Sequence, residues 1–266
     1  IDTTYMKDEK TLNTLSGQDC IVLPYQNTGE SSSAAVRHAI ACNNNVLVTG
    51  GNSGIGLALT KKLLDLKNNV FATYKKDSSN LSSINNDRLI ILKCDNRDLE
   101  GFSNFEEKIK NVNLDIIINC AGVFGPPNQN IEELDFEEFK EVLMVNSLSI
   151  LKIIQIILKQ GKELKFVINI SSDTGSISQN KEGKFYIYKT SKSTLNSITK
   201  NMSIDLFRRS KTIVFAIDPG NVQSGMNPGG IIKAEKCADI IIDIISKNGL
   251  SLNGKFINLL KEEIPW

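Results

Sequence analysis

From position 46 onward, short runs of β-branched and apolar residues alternate with stretches in which apolar residues recur every three or four positions. The short runs predict strands and the longer stretches predict amphipathic helices. The predicted strands are Val46–Thr49, Val70–Tyr74, Leu89–Cys94, Leu114–Asn119, Lys165–Ile170, Thr212–Ile217 and Lys255–Leu259. The predicted helices are Ile55–Leu66, Leu99–Lys110, Asp135–Leu158 (with Asp135 as N-cap), Tyr186–Phe207 and Ala234–Ser246, and Ser78–Asn86 is predicted to be a loop.

Strands that alternate with helices predict βαβ units and a parallel sheet. Several strands are continuous apolar runs, such as Ile116–Ile118, as expected when both faces of a sheet are buried. The pattern therefore predicts an α/β fold: a doubly wound, Rossmann-like, mostly parallel sheet of seven strands with helices on both faces. Ligands of such folds bind beyond the carboxyl ends of the strands, so the residues that follow each strand are the candidates for function.

Residues 1–44 differ from the rest of the chain. They are rich in Ser, Thr and Asn and hold one short apolar piece, Cys20–Leu23. We expect an N-terminal extension that is partly disordered or docks onto a partner, followed by a single domain over residues 45–266. Since the first residue is Ile1 rather than Met, we expect a start that is processed or truncated.

Composition excludes several classes of protein. Of 266 residues, 31 are Lys or Arg and 30 are Asp or Glu, so the formal charge of +1 favours neither nucleic acid nor an anionic membrane surface. No run approaches the roughly 20 apolar residues of a membrane span. The five cysteines are scattered and form no C-x-x-C, which predicts no disulfide framework, no metal site and a soluble protein in a reducing compartment, the cytoplasm or an organelle matrix such as the mitochondrion.

Only one histidine, His38, is present, and it lies in the extension. Zinc motifs with two histidines are therefore excluded. A Ser-His-Asp site would depend on a histidine without an evident orienting partner. Proton chemistry is expected from Tyr, Lys, Asp or Glu.

A glycine-rich turn, Gly50–Gly56, follows the first predicted strand. Glycines let the backbone approach a pyrophosphate, and the helix that opens at Gly54 offers free N–H groups. No Gly-Lys-Ser/Thr follows, so ATP or GTP fits poorly. A tight turn without ligand is the alternative interpretation.

The ends of the next strands extend the candidate nucleotide site. Tyr74 is followed by Lys75 and Lys76 rather than by an acid, which favours the 2′-phosphate of NADP over the 2′-hydroxyl of NAD, although a solvated charge pair remains the alternative. Asp95, beside Asn96, could accept a hydrogen bond from an adenine amino group or simply serve a turn. Small residues in Asn119–Gly122 would leave room for ribose and nicotinamide.

Tyr188 and Lys192 are four residues apart on a predicted helix and share a face, and Ser171 and Ser172 end the preceding strand. A nearby ammonium stabilises phenolate, so the pair could act as general acid and base without histidine. A chance Tyr-x-x-x-Lys is the alternative.

Together, Thr-Gly-x-x-x-Gly-Ile-Gly, Asn-x-Ala-Gly, Ser-Ser, Tyr-x-x-x-Lys and Pro-Gly resemble, in order and spacing, the short-chain dehydrogenase/reductase family over about residues 45–266. The stretch Ile170–Ile177 and the ending Glu263–Trp266 are most similar to its carbonyl-reductase-like branch of sniffer and C-factor type proteins.

The resemblance implies that Tyr188 protonates the carbonyl oxygen, that Lys192 lowers the pKa of Tyr188 and holds the nicotinamide ribose, and that Ser172 binds the substrate oxygen. Asn146 would hold a water that links Lys192 to solvent. The implied cofactor contacts are Gly50, Asn52, Ser53, Gly54, Ile55, Gly56, Tyr74, Lys75, Asp95, Asn96, Asn119, Cys120, Ala121, Gly122, Tyr188, Lys192, Pro219, Gly220, Val222 and Ser224.

Three features depart from the family pattern. Cys120 replaces an Asn, from which we expect weakened packing; Ser224 replaces a Thr but keeps the hydroxyl; and Ser172 precedes Tyr188 by sixteen residues, slightly more than usual. The extension over residues 1–44 has no counterpart in the family.

Two hypotheses follow. The first is an NADP-preferring carbonyl reductase or alcohol dehydrogenase that acts on a small molecule and binds neither nucleic acid nor membrane. The family resemblance implies that it forms a homo-dimer or tetramer through its two long helices. The second is a structural or signalling subunit that enters a larger complex through residues 1–44.

Overall fold

The computed structural model describes residues 43–98 and 102–266. Its seven strands are β1 (Asn45–Thr49), β2 (Asn69–Tyr74), β3 (Leu89–Lys93), β4 (Ile116–Asn119), β5 (Phe166–Ile170), β6 (Ile213–Asp218) and β7 (Phe256–Asn258). Its helices are α1 (Gly54–Asp65), α2 (Ser79–Ser82), α3 (Ser103–Ile109), α4 (Phe136–Leu143), α5 (Ser149–Lys159), α6 (Tyr186–Ser210) and α7 (Ala234–Asn248), and a π-helical turn (Met144–Leu148) joins α4 to α5.

The strands form one parallel sheet in the order β3-β2-β1-β4-β5-β6-β7. β1 pairs on one side with β2 and on the other with β4, so the strand order reverses there. A crevice for a ligand is expected above the carboxyl ends of these strands. The predicted doubly wound α/β fold is confirmed.

Both faces of the sheet are buried, and alternation along each strand divides the core in two. Val46 and Val48 of β1 point to a cluster that α1 and α7 cover. Leu47, between them, points to the opposite cluster, which α3, α5 and α6 cover. This explains why the strands lack the apolar–polar alternation of a half-exposed sheet.

Two predicted elements were wrong in detail. The loop predicted at Ser78–Asn86 contains the short helix α2, because Leu81 is fully buried and anchors it. The single helix predicted over Asp135–Leu158 is interrupted by the π turn, although Asp135 does cap it by accepting from the backbone N–H groups of Glu137 and Glu138.

Most other boundaries agree within one or two residues, but α3 begins at Ser103 rather than at the predicted Leu99. Residues 99–101 lie outside the described residues, as does almost all of the predicted extension, with His38, Cys20 and Cys42. The assignment of residues 1–44 to an extension therefore stays a prediction.

The helical run Phe136–Lys159 is, by length and composition, apolar enough to cross a membrane, and 56% of its most apolar window is buried within the domain. Ile150, Ile153 and Ile157 of this run pack against the sheet. Its apolar character thus serves the core.

Candidate active site

The glycine-rich turn after β1 is shaped for close backbone contacts. A Cβ added to Gly56 would lie 2.3 Å from the carbonyl oxygen of Gly50, so only glycine lets α1 start this close to the turn. Gly50 itself has a φ of 65°, in the region that favours glycine. Ser53, at the N-cap of α1, makes no side-chain capping bond, and the first turn of α1 carries no acid. The positive end of the helix therefore faces the crevice, where it suits a phosphate.

Three adjoining clefts run along the carboxyl ends of the strands, and they share walls. We name them the adenosine cleft (about 300 Å³), the nicotinamide cleft (about 360 Å³) and the substrate cleft (about 320 Å³) after the parts of the ligands they would suit. Gly50 and Ala121 line the first and second, and Tyr188 and Pro219 line the second and third.

Nearly all the predicted site residues line these clefts. The adenosine cleft has Gly50, Asn52, Ser53, Tyr74, Lys75, Asp95, Asn96, Ala121 and Gly122; the nicotinamide cleft adds Gly54, Ile55, Gly56, Cys120, Tyr188, Lys192, Pro219 and Ser224; and the substrate cleft adds Ser172, Gly220 and Val222. Asn119 and Asn146 line none of the three clefts, and each is 1% exposed.

Several of the predicted residues that line the adenosine cleft also make hydrogen bonds to other parts of the fold. Asn52 accepts from the backbone N–H of Leu81 at 3.0 Å and so ties α2 to the glycine turn. Asn96 donates to the hydroxyl of Ser149 at 3.0 Å. Arg97 donates to both carboxylate oxygens of Asp95, at 2.8 Å for the closest pair, and these hydrogen bonds hold the pKa of Asp95 below its usual value.

Sequence reasoning missed Asp77, which lines the adenosine cleft beside Lys75 and Lys76. Its carboxylate accepts from the N–H and the hydroxyl of Ser79, which lower its pKa. The end of this cleft thus presents two ammonium groups and one carboxylate. An acid that binds NAD is expected directly at the end of β2, whereas Asp77 lies three residues further along the chain.

A chain of buried polar side chains crosses the sheet beneath the nicotinamide cleft. Asn119 accepts from Thr49 at 2.9 Å and donates to Asn169 at 3.1 Å, and Asn169 donates to Thr199 at 2.9 Å. Thr49 in turn accepts from the backbone N–H of Ala121 at 3.0 Å. The side chain of Asn119 therefore supports the wall of the cleft.

Cys120 lines the nicotinamide cleft, and burial raises the pKa of its thiol well above the usual value. Cys94 and Cys237 are likewise free thiols with pKa values raised to about 12, mainly by burial. These thiols stay protonated at neutral pH, so they offer no thiolate nucleophile.

Lys192 reaches the nicotinamide cleft from α6 and is 5% exposed. Its ammonium donates to the carbonyl oxygen of Ile170 at 3.0 Å and lies 5.8 Å from the centre of the Tyr188 ring. Burial lowers its pKa to about 8. A Cβ on Gly122 would lie 3.7 Å from this ammonium and 3.6 Å from Oδ1 of Asn146, which shows how closely the three residues approach.

Tyr188 forms the wall between the nicotinamide and substrate clefts. Its ring packs on Phe124 at 4.9 Å between centroids, and its backbone N–H donates to Gln129 at 2.8 Å. Burial raises its pKa to about 12; a hydrogen bond with Ser172 lowers the value, and the charges of Asp218 and Asp173 raise it. This differs from the expected lowering by Lys192, because desolvation penalises the charged forms of both groups.

Ser172 sits at the mouth of the substrate cleft, where its hydroxyl shares hydrogen bonds with Thr174 at 2.9 Å and Asp173 at 3.1 Å. Asp218, at the end of β6, lines the same cleft and is 9% exposed. Its carboxylate accepts from the N–H of Gly220 at 3.2 Å, and burial raises its pKa. Sequence reasoning missed Asp218, although its place at a strand end could have identified it.

Asn146 lies in the π turn and is 1% exposed. Its Oδ1 accepts from the N–H of Val123 at 2.8 Å, and its Nδ2 donates to the carbonyl of Val123 at 2.9 Å and to the hydroxyl of Ser191 at 2.9 Å. The side chain therefore ties the loop after β4 to α6, one residue from Lys192. π turns of this kind often occur at functional sites.

Comparisons with known proteins agree with this geometry. The family model for short chain dehydrogenase matches residues 44–230. C-signal of Myxococcus xanthus is 29% identical over 157 residues, which span 58% of this chain and 93% of C-signal. L-fucose dehydrogenase of Mus musculus is 30% identical over 183 residues, covering 66% of this chain and 64% of that enzyme.

Solved structures extend the likeness. Carbonyl reductase Sniffer of D. melanogaster is 28% identical, with a TM-score of 0.77 over 84% of this chain and 100% of Sniffer. The NADPH-bound carbonyl reductase from chicken fatty liver is 26% identical, with a TM-score of 0.73 over 84% of this chain and 99% of that one. With a family match over most of its length and this fold, the chain belongs to the short-chain dehydrogenase/reductase family of oxidoreductases and resembles its carbonyl-reductase-like members.

Proposed function

We propose that the chain is a nicotinamide-dependent carbonyl reductase, which in the reverse direction oxidises an alcohol. The observation that carries the proposal is the position of Tyr188, Ser172 and Lys192 where the nicotinamide and substrate clefts meet. When bound, NADPH would supply a hydride for the carbonyl carbon.

The residues of the chain would then handle the carbonyl oxygen. Ser172, at the mouth of the substrate cleft, donates a hydrogen bond to that oxygen and orients it towards Tyr188. The Tyr188 hydroxyl, protonated at neutral pH because its pKa is about 12, transfers its proton to the oxygen as negative charge develops there. Phe124 and the loop around Pro219 form part of the wall of this site.

Lys192 and Asn146 would support this transfer from the other side of Tyr188. Lys192 holds the nicotinamide ribose with its ammonium, and its charge favours the phenolate left after proton transfer. Asn146 keeps the loop after β4 against α6, and a water held near it would return a proton to the site through Lys192.

For the cofactor we propose a preference for NADP over NAD. The support is Lys75 and Lys76 on the wall of the adenosine cleft, whose charges suit a 2′-phosphate. Asp77 on the same wall opposes this preference, because its carboxylate suits a 2′-hydroxyl. Because this wall carries two cations and one anion, its net positive charge favours the 2′-phosphate of NADP.

The test is to mix the purified chain with NADPH and a panel of aldehydes, ketones and quinones, and to follow NADPH oxidation. We expect turnover for at least one class, and loss of it in Tyr188→Phe, which keeps the ring but removes the proton donor. Turnover that survives in Tyr188→Phe would contradict the mechanism.

The alternative, a structural or signalling subunit, has one supporting observation, the similarity to C-signal. Removal of residues 1–44 distinguishes the two. An unchanged reductase rate together with loss of assembly would favour the subunit role, whereas an unchanged assembly counts against it.

A further inference from the structure

After β7 the chain turns back on itself, and its segment Glu262–Trp266, which we call the return strap, lies antiparallel along β7. The N–H of Ile264 donates to the carbonyl of Phe256 at 2.7 Å, and Ile257 bridges to Glu263. The ring of Trp266 stacks on Phe256 at 5.5 Å between centroids, and the ammonium of Lys200 lies 6.0 Å from the Trp266 ring centre. The strap is thus fixed to the sheet edge and to α6.

The far side of the strap touches the loop Ser172–Ser178, which we call the serine loop. The hydroxyl of Ser176 donates to the carbonyl of Pro265, and that of Ser178 donates to the main-chain oxygen of Trp266 at 3.0 Å. Ser176 is 1% exposed, so its bond to the strap is shielded from water. These are contacts over almost ninety positions of sequence, and they join the strap to the loop that begins with Ser172.

The serine loop is stiff between these contacts and Ser172. A 3₁₀ turn spans Asp173–Gly175, with the N–H of Gly175 bound to the carbonyl of Ser172 at 2.9 Å and that of Ser176 to Asp173 at 2.9 Å. On its other side, the hydroxyl of Ser193 donates to the carbonyl of Gly175 at 2.9 Å.

This turn is tightly packed against α6. A Cβ on Gly175 would come within 2.9 Å of the backbone of Lys192. The loop is therefore clamped between α6 and the strap, and a displacement at Ser176 is transmitted to Ser172.

We propose that Trp266 is a positioning residue of the active site: through the return strap it holds the serine loop so that the Ser172 hydroxyl stays in place beside Tyr188. The inference rests on the proposed carbonyl reduction. It assigns Trp266 no contact with substrate or cofactor, and Trp266 lines none of the three clefts.

The direct test compares Trp266→Ala and Trp266→Phe with Leu260→Ala in the full chain. Leu260 lies in the turn that joins β7 to the return strap, is 77% exposed and serves as the matched control. Because small misplacements of a reacting group cost large factors in rate, we expect Trp266→Ala to lower kcat/KM for the carbonyl substrate about tenfold. NADPH affinity should stay within about twofold, Leu260→Ala should match the wild type, and Trp266→Phe should restore most of the rate.

A double-mutant cycle shows whether Trp266 acts through Ser172. In a Ser172→Ala background, Trp266→Ala should change the residual rate by less than about twofold, because the group it positions is already gone. A further tenfold loss in that background, or no loss in the wild-type background, would overturn the proposal.

Two measurements keep the inference testable apart from the reaction. If the wild-type chain reduces no carbonyl compound, the proposed function fails, and amide hydrogen exchange decides the inference alone: the serine loop should exchange faster in Trp266→Ala than in Leu260→Ala, and equal exchange would refute it. If Trp266→Ala does not fold, Ser178→Ala removes the hydrogen bond to the strap together with the weaker contact to the Ser176 hydroxyl, and unchanged exchange in the loop would refute the proposal equally.

Discussion

At the scale of single residues, burial is the main cause of the shifted pKa values in the active site. Tyr188, Lys192 and Asp218 are three ionisable groups whose pKa values are all displaced by desolvation towards the neutral form, to about 12 for Tyr188 and about 8 for Lys192. Their charges act on each other at short range, so removal of one group shifts the titration of its neighbours.

This coupling gives a pH prediction with opposite signs for two variants. Alcohol oxidation needs Tyr188 to accept a proton, so its rate rises with pH towards the pKa of the phenol. Ser172→Ala removes a hydrogen bond that lowers the pKa of Tyr188 and should move the midpoint to higher pH. Asp218→Asn removes an anion that raises the pKa of Tyr188 and should move it to lower pH. The pH–rate profile of alcohol oxidation is the measurement, and shifts in the same direction would contradict the assignment.

A second residue carries a steric prediction. Gly56→Ala would place a Cβ 2.3 Å from the carbonyl oxygen of Gly50, so the start of α1 must move away from the turn. We expect NADPH affinity to fall at least about a hundredfold, because the N–H groups of the helix no longer reach the phosphates. Titration of NADPH fluorescence measures this. Gly229→Ala, where a Cβ meets open space, is the control and should bind as the wild type does.

Single residues were predictable where position and chemistry agreed. The glycine turn and Ser172 follow from the rule that ligands bind at the carboxyl ends of strands, and Tyr188 and Lys192 follow from their spacing on one helix face. Gln129, which accepts from the backbone of Tyr188, lies 59 residues from it. Such a contact depends on how a loop packs against the first turn of α6, and no periodic sequence pattern indicates it.

At the scale of elements, the π turn between α4 and α5 is the feature that hydrophobic periodicity did not show. One extra residue in a single turn leaves the apolar pattern on either side intact, so the sequence predicted one continuous helix. The turn places Asn146 where its three hydrogen bonds reach Val123 and Ser191.

Asn146→Ala should therefore weaken both the fold and the site. It removes the three hydrogen bonds that the buried Asn146 side chain makes to Val123 and Ser191, which we expect to lower the free energy of unfolding by about 2 kcal/mol, and to reduce kcat. Denaturant unfolding and steady-state kinetics measure the two effects. Asn201→Ala, which loses one exposed bond to Ser197, is the control; an equal and small effect of both variants would show that the π turn needs no such anchor.

At the scale of the whole molecule, the fold class, strand number and helix placement were predictable because both sheet faces are buried, which makes the strands apolar throughout. Assembly was predicted only in outline, as a dimer or tetramer through the two long helices. The structure leaves Leu151 of α5 and Ile204 of α6 each 41% exposed, on the helices expected to form that interface.

Lysine substitutions on the exposed face of α5 and α6 test the predicted assembly. Leu151→Lys and Ile204→Lys each place an ammonium on this face, and burial of an unpaired charge in an interface is costly. We expect the wild type to be a dimer or tetramer by light scattering and the combined variant to be a monomer. Leu260→Lys, exposed elsewhere, should leave the assembly unchanged. A wild-type monomer would contradict the prediction.

The central claim is that the three clefts bring a nicotinamide and a carbonyl carbon together beside Tyr188. The most direct measurement is to supply NADPH deuterated at the hydride-donating carbon, with a ketone that the protein turns over, and to analyse the alcohol by mass spectrometry and NMR. The account predicts one deuterium on the carbinol carbon with the wild-type chain and no alcohol above background with Tyr188→Phe. An alcohol without deuterium, or equal labelling by Tyr188→Phe, would contradict it.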